Sequence, residues 1–212
     1  MINSSPMDNA LTKQNIIKKA SSDLGNLIVL SGPSGVGKGT VIRKLLTLLP
    51  KVIRSTSVTT RPIREGEVED IDYFYKTKAE FEALIEANAF LEWAQYADNY
   101  YGTLKDFVWE KQQLGLDVIL EIEVQGAKQV KEIKNDIILI FISPPDFPTL
   151  ESRLRSRATD SPSSIESRLK TARIELASRL MFDYEVINED LDEATQDLLH
   201  IVKAQRLKII KG

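Results

Sequence analysis

The 212-residue sequence contains no cysteine and only one histidine, His200. Disulfide bonds, thiolate metal sites, thiol catalysis and metal sites built from several histidines are therefore excluded. The longest uninterrupted apolar run, Ile137–Ile142, is too short to cross a bilayer. A net charge of -3 argues against the broad basic face of a nucleic-acid-binding domain. We therefore predict a cytoplasmic protein that binds neither a membrane nor a nucleic acid.

The start of the chain lacks the apolar core of a signal peptide, and the first arginine is Arg43. A secretory signal and an Arg-rich transit peptide are therefore not expected. The polar composition of residues 1–24 predicts a poorly ordered extension. Residues 25–212 are sufficient for one domain with a sizeable core.

A glycine-rich segment, Gly32–Lys38 (GPSGVGK), follows the short apolar stretch Leu27–Leu30. After Lys38 the apolar residues follow a helical spacing, so the segment connects a predicted strand to a predicted helix. In a phosphate-binding loop of this kind, backbone N–H groups, the helix N-terminus and the lysine charge all favour an anion. Gly39 stands where a Ser or Thr hydroxyl usually meets Mg²⁺, and Thr40 lies about 100° further around the helix. The segment predicts binding of a polyphosphate nucleotide.

Two further apolar stretches, Asp117–Glu123 and Asp136–Ile142, alternate with helical patterns. This alternation predicts an α/β fold with a mainly parallel sheet that is covered by helices on both faces. Ligands in this architecture bind at the carboxyl ends of the strands. Gly32, Glu121 and Ser143 are expected to lie along that edge.

The region between the first helix and Asp117 has weaker local signals. Thr77 and Glu80 form a capping-box pattern, which predicts the start of a helix. Glu92 lies among the apolar residues of a predicted strand. Tyr100–Thr103 is predicted to be a turn, with Thr103 as the N-cap of a helix that ends near Gly115.

Two groups of arginines are separated along the chain. Arg61 and Arg64 flank a proline in a Ser/Thr-rich segment, whereas Arg153, Arg157 and Arg168 belong to a later, arginine-rich region. One phosphate loop can hold a donor nucleotide by itself. Because guanidinium groups bind phosphate bidentately, additional arginines predict a second phosphorylated substrate.

Further segments occur in the order and spacing of one known family: GPSGVGKGT, SVTTRPIREGE, DYFY, FLEWAQYADNYYGT, ILEIEVQGA, RLRSR and VINED. Over residues 27–208 the sequence resembles guanylate kinase. The resemblance implies a three-layer P-loop NTPase core with a mainly parallel sheet, an inserted GMP-binding subdomain and a helical lid. The corresponding segments are a core (25–51, 107–143 and 179–212), a GMP-binding region (52–106) and a lid (144–178).

The resemblance also implies an activity and its participants. The γ-phosphoryl group of ATP would pass to GMP or dGMP, giving ADP and a guanosine diphosphate, with Mg²⁺ as the cofactor. The small-molecule partners would be ATP and GMP, and the protein would be a monomer or a homodimer.

Roles for individual residues follow from the same resemblance. The implied catalytic residues are Lys38, Arg153, Arg157 and Arg168. The implied ATP-binding residues are Gly32, Pro33, Ser34, Gly35, Val36, Gly37, Lys38, Gly39, Thr40 and Asn188. The implied GMP-binding residues are Ser57, Glu92 and Glu123 at the guanine, Thr103 near it, and Arg61, Arg64, Tyr73 and Tyr101 at the phosphate. The implied metal-binding residue is Glu121, which would hold Mg²⁺ through water.

Base chemistry agrees with the role implied for Glu92. Guanine presents two adjacent donors, N1–H and N2–H₂, and one carboxylate accepts both. Adenine has no donor at N1, so AMP would leave a buried Glu92 partly unpaired, at a cost of about 1–3 kcal/mol. Glu121 and Glu123 differ from the Asp-x-Asp that is commoner in the family, which adds one methylene to each side chain.

Three other functions were weighed against this hypothesis. A kinase for AMP or dTMP is disfavoured by Glu92 and Ser57. A GTPase is suggested by Glu123–Gly126, which resembles a D-x-x-G switch, but no N-K-x-D element follows. The main alternative is a non-catalytic interaction module built on the guanylate kinase fold. Such modules typically lose the phosphate loop, whereas this sequence keeps Lys38.

Overall fold

The structure, a computed structural model, describes residues 24–96, 98–156 and 162–208. The predictions made for the extension before residue 24 and for Arg157 concern residues outside these ranges.

Strands and helices alternate along the described ranges. The strands are β1 (Leu27–Ser31), β2 (Val52–Arg54), β3 (Ser57–Thr59), β4 (Tyr73–Tyr75), β5 (Phe90–Tyr96), β6 (Asn99–Leu104), β7 (Asp117–Glu121), β8 (Ile138–Ser143) and β9 (Tyr184–Ile187). The helices are α1 (Lys38–Leu48), α2 (Lys78–Glu86), α3 (Lys105–Gln113), α4 (Val124–Ile133), α5 (Phe147–Arg155), α6 (Pro162–Ala177) and α7 (Leu191–Arg206). A short 3₁₀ helix, Ser178–Met181, follows α6.

The central sheet consists of five parallel strands in the order β2-β7-β1-β8-β9. Every residue of β1 is buried. This agrees with the apolar run in its sequence, which is typical of a strand that is covered on both faces. Leu30 pairs with Glu121 across β1 and β7, and β8 ends at Ser143 on the other side of β1. The loop that begins at Gly32 therefore lies at the same sheet edge as Glu121 and Ser143. The predicted α/β fold and the predicted edge are confirmed.

Helices cover both faces of the central sheet. Because side chains alternate along a strand, Ile28 and Leu30 pack with apolar residues of α1, α5, α6 and α7, whereas Leu27 and Val29 pack with those of α3 and α4. None of the helices in the described ranges is long and apolar enough to span a membrane. The two apolar clusters hold the carboxyl edge of the sheet rigid, and the candidate site is built on that edge.

A second sheet of four strands, in the order β4-β3-β6-β5, lies in the region between α1 and α3. Its strand β6 is antiparallel to both β3 and β5. The prediction that Tyr100–Thr103 forms a turn is therefore wrong, because these residues belong to β6. Thr103 does not cap α3 either, since Leu104 occupies the N-cap position. The strand forms because β3 and β5 supply cross-strand partners, which a short sequence pattern does not reveal.

The GMP-binding region predicted for residues 52–106 stays a prediction. At its start, Val52–Arg54 forms β2 and pairs with β7 in the central sheet. The region that carries the second sheet therefore begins after Arg54. Its first helix, α2, starts at the predicted capping box, in which Thr77 and Glu80 satisfy each other's backbone N–H groups.

Candidate active site

The phosphate loop, Gly32–Lys38, connects β1 to α1. Gly37 has a φ of +98°, a left-handed backbone that glycine adopts at little cost. A β carbon at Gly37 would also lie 2.6 Å from Nδ2 of Asn188, and that same amide donates a hydrogen bond to the Val36 carbonyl oxygen at 2.7 Å. The residue after β9 therefore braces the loop. Within the described ranges no side chain caps α1, and an uncapped helix N-terminus favours a bound anion.

Two cationic side chains reach the phosphate loop. Nζ of Lys38 lies 2.5 Å from the Gly32 carbonyl oxygen and 3.2 Å from that of Pro33. Arg168, from α6, donates from Nη2 to Oγ of Ser34 at 2.6 Å. Most strands of the central sheet lie between Lys38 and Arg168 in the sequence. The fold nevertheless brings both side chains to one loop. Positive charge from α1 and from α6 therefore meets there.

Arg153 and Asn188 lie together on another side of the loop. Arg153 donates to the carbonyl oxygens of Asn188 at 2.9 Å and of Glu189 at 3.4 Å. Thr40, which is exposed, accepts a hydrogen bond from Arg43 at 3.1 Å. The catalytic role predicted for Arg153 and the nucleotide-binding roles predicted for Thr40 and Asn188 stay predictions.

A cleft of about 500 Å³ separates the phosphate loop from the second sheet. On one side its wall contains the loop residues Ser34, Lys38 and Gly39. The predicted GMP-binding residues that line the cleft are Ser57, Tyr73, Glu92, Tyr101 and Glu123. The fold thus brings residues of the predicted ATP-binding set and of the predicted GMP-binding set to one cleft.

Glu92 lies in β5 and is almost completely buried, with 6% of its surface exposed. Oγ1 of Thr103, on the paired strand β6, donates to Oε1 of Glu92 at 2.6 Å. Burial raises the pKa of Glu92 to about 7; the Thr103 hydrogen bond opposes this rise, and the nearby charge of Glu123 adds to it. Glu92 is therefore a buried acceptor, held by one neighbour, that faces the cleft.

Arg61 and Arg64 have different surroundings. The guanidinium of Arg61 is buried and forms two hydrogen bonds to the Glu67 carboxylate, at 2.7 and 3.0 Å. This pairing raises the pKa of Arg61 and lowers that of Glu67 to about 2. Arg61 also lies over the ring of Tyr73, 5.3 Å from its centroid, so it stands behind a residue that lines the cleft. Arg64 is exposed.

Glu121, at the carboxyl end of β7, lies opposite Gly39. A β carbon at Gly39 would approach Oε1 of Glu121 to 3.3 Å, so the longer Glu121 side chain occupies the space beside the missing hydroxyl. Gly39 in place of a Ser or Thr and Glu121 in place of an Asp are therefore sterically compatible, because the longer side chain lies beside the position without a side chain. Nη1 of Arg54 lies 3.6 Å from the other oxygen of Glu121.

The side chains at the carboxyl edge of the sheet can hold a divalent cation only if phosphate oxygens supply the remaining ligands. The described residues contain no group of three or more His, Cys, Asp or Glu side chains that could hold a metal. Mg²⁺ is commonly held by one or two carboxylates, several waters and substrate phosphates. Glu121 supplies such a carboxylate next to the phosphate loop.

The cleft also contains residues that the sequence did not single out. Arg54 ends β2 and Ser55 follows it at the carboxyl edge, and this position at the end of a strand was an available signal. Glu175 lies on α6 about two turns beyond Arg168, so a helical projection would have placed both on one face. Burial raises the pKa of Glu175, and the charge of Lys38 opposes the rise.

Two polar atoms in the cleft wall have no hydrogen-bond partner among the described residues. They are Oγ of Ser55 and Oε2 of Glu175, both buried. Buried polar atoms are normally satisfied, so these two indicate that water or a polar ligand completes the cleft.

Comparison with known proteins gives one consistent family. The family model described as guanylate kinase matches residues 24–205. A guanylate kinase of Synechococcus sp. (strain JA-3-3Ab) is 47% identical over 195 residues, which cover 92% of this chain and 90% of that protein. One from Oceanobacillus iheyensis is 48% identical over 87% of this chain and 89% of its own length. The crystal structure of guanylate kinase from Anaplasma phagocytophilum superposes with a TM-score of 0.70 at 32% identity, covering 87% of this chain and 88% of that one.

Proposed function

Because the chain belongs to the guanylate kinase family, we propose that its cleft binds ATP and GMP together and transfers the γ-phosphoryl group of ATP to GMP. The products are ADP and GDP. The observation that carries this proposal is the single cleft that is lined by the phosphate loop on one side and by Glu92, Tyr73 and Tyr101 on the other. The non-catalytic alternative lacks support, because Lys38 and the loop geometry of a nucleotide site are both present.

The donor half of the reaction uses the phosphate loop. Its backbone N–H groups and the N-terminus of α1 would hold the β- and γ-phosphates of ATP, and Lys38 would neutralise their charge. Asn188 braces the loop through the Val36 carbonyl and would border the adenine side. Arg168, already within hydrogen-bond distance of Ser34, would cover the transferring phosphoryl group as the lid closes.

The acceptor half uses the second sheet. Glu92 would accept the N1–H and N2–H₂ donors of guanine, with Ser57, Thr103 and Glu123 bordering the base. Tyr73, Tyr101 and the arginines Arg61 and Arg64 would hold the phosphate of GMP. The Arg61–Glu67 pair supports this role because it fixes the guanidinium in one orientation before substrate arrives.

The reaction needs no general base. The second pKa of a phosphate monoester is near 6, so the accepting phosphate of GMP is largely ionised at neutral pH. The protein then contributes alignment, charge neutralisation and the exclusion of water, which would otherwise accept the phosphoryl group. A lid that closes over both nucleotides supplies the last of these.

We propose Mg²⁺ as the divalent cation of this site. Glu121 would hold it through water, together with the phosphates of ATP. When bound there, the cation would supply charge neutralisation for the phosphates of ATP. A cytoplasmic location and a monomeric or homodimeric state remain predictions from the sequence.

A coupled assay of ADP release tests the proposed function. The enzyme is supplied with ATP and Mg²⁺ and, in separate reactions, with GMP, dGMP, AMP or dTMP. We expect turnover with GMP and dGMP and little with the other two. Activity on AMP in place of GMP would overturn the assignment, and ADP release that is independent of any acceptor would indicate an ATPase.

The raised pKa of Glu92 predicts a pH dependence of GMP binding. A protonated carboxyl group offers guanine one acceptor fewer, so the KM for GMP is expected to rise as the pH falls through about 7. The KM for ATP should show no inflection there. Ionisation of the GMP phosphate adds a second inflection near 6. Measuring both KM values from pH 8 to pH 6 checks this.

The variant Glu92→Gln serves as the control for the pH dependence. It should lose the inflection near 7 and keep the one that belongs to the GMP phosphate. A KM for GMP that is constant between pH 8 and pH 6.5 in the parent enzyme would contradict the prediction.

A further inference from the structure

Gly126 is the third residue of α4 and lies in the wall of the cleft. Glycine is a poor residue for a helix because it loses much backbone freedom on folding. Gly126 does not have a positive φ that would require glycine. The reason for a glycine must therefore be a close approach of another group.

That group is the side chain of Glu92. A β carbon at residue 126 would lie 2.8 Å from Oε2 and 3.4 Å from Cδ of Glu92, and 3.3 Å from Cδ1 of Ile122. Thr103 holds the other oxygen, Oε1, at 2.6 Å. The carboxylate is thus confined between a hydroxyl on β6 and the bare backbone of the first turn of α4.

We propose that Gly126 is a positioning residue for base recognition, because the space left by its missing side chain sets the orientation in which the Glu92 carboxylate meets guanine. The inference rests on the proposed function and extends it to a residue outside the implied GMP-binding set.

The contact between Gly126 and Glu92 predicts that a methyl group at residue 126 impairs recognition of the base without lowering the stability of the fold. The end of a glutamate side chain is flexible, so the fold can accommodate a methyl group at residue 126 by moving the Glu92 carboxylate. Alanine is also the better helix residue. Substrate recognition tolerates such a shift poorly, because hydrogen bonds to a base depend strongly on geometry.

The test is the full-length variant Gly126→Ala in steady-state kinetics. We expect the KM for GMP to rise about tenfold, which corresponds to weakening one hydrogen bond to a charged group, with the KM for ATP changed less than about twofold. The preference for GMP over IMP, which lacks the 2-amino donor, should decrease. The unfolding midpoint should equal or exceed that of the parent. Lys128→Ala, at an exposed position of the same helix, should change none of these values.

Introducing Gly126→Ala into a Glu92→Asp variant distinguishes an effect on the Glu92 carboxylate from direct steric obstruction of the base. In Glu92→Asp the carboxylate is one methylene shorter and lies clear of the added β carbon. Gly126→Ala should therefore raise the KM for GMP much less in this background than in the parent. An equal increase in both backgrounds, or a lower unfolding midpoint with an unchanged KM for GMP, would overturn the inference.

The proposed function and the inference can fail separately. A parent enzyme that is inactive on GMP would overturn both. An active parent whose Gly126→Ala variant keeps its KM for GMP and its preference over IMP would overturn only the role of Gly126.

Discussion

Replacement of Lys38 by alanine is expected to lower kcat by about 100- to 1000-fold, the range seen when one preorganised charge or donor is removed from a transition state. Nζ of Lys38 lies within hydrogen-bond distance of Gly32 and Pro33, so its charge is held at the loop where the phosphates of ATP would bind. GMP binding should be largely unchanged, because most of the predicted GMP-binding residues lie on the second sheet or in its loops. Steady-state kinetics and calorimetric titration of GMP check the two parts.

Lys44 offers a matched control for this variant. It lies on the same helix, α1, but pairs with Asp192 on α7 and does not line the cleft. Lys44→Ala should leave kcat close to that of the parent enzyme. Equal losses of turnover and of GMP affinity in Lys38→Ala would contradict separate donor and acceptor halves.

Replacement of Glu92 by glutamine is expected to reduce the preference for GMP over AMP by about 100-fold or more in kcat/KM. The buried carboxylate would accept two donors from guanine, whereas a glutamine amide accepts with its oxygen and donates with its nitrogen. The amide therefore opposes one guanine donor, and its N–H₂ group can donate to the N1 acceptor of adenine. Measuring kcat/KM for both nucleotides gives the ratio directly.

Glu86→Gln is the control for the second prediction. Glu86 is an exposed carboxylate at the end of α2, in the same part of the chain and outside the cleft. Its replacement removes the same charge and should leave the ratio unchanged. If Glu92→Gln keeps the selectivity of the parent, Glu92 does not read the base.

Local patterns were sufficient for the central sheet and the phosphate loop. The strand, the loop and α1 are contiguous from Leu27 to Leu48, so sequence order and spatial order coincide there. The uninterrupted apolar strands β7 and β8 showed in the same way that their faces are covered. The order of the strands in the sheet and the face on which each helix packs remained to be determined.

The second sheet was harder to predict because one of its pairings, between β3 and β6, joins distant segments. The local pattern of Tyr100–Thr103 predicts a turn, yet the segment pairs with β3 on one side and with β5 on the other. As a consequence, Thr103 was assigned to a helix cap, although its hydroxyl holds Glu92 in the structure. A short stretch of sequence carries no information about which strand lies beside it.

The sequence by itself determined the family, the phosphate loop and the residue types of a two-nucleotide site, because these depend on contiguous motifs and on their order. The tertiary structure decided how the site is assembled. It brings Arg168 to Ser34, confines Glu92 between Thr103 and Gly126, and sets Gly39 against the longer Glu121. Apart from the Glu92–Thr103 hydrogen bond between consecutive strands, these contacts join segments that are far apart in the chain, so the physical reason for each residue is a neighbour that only folding supplies.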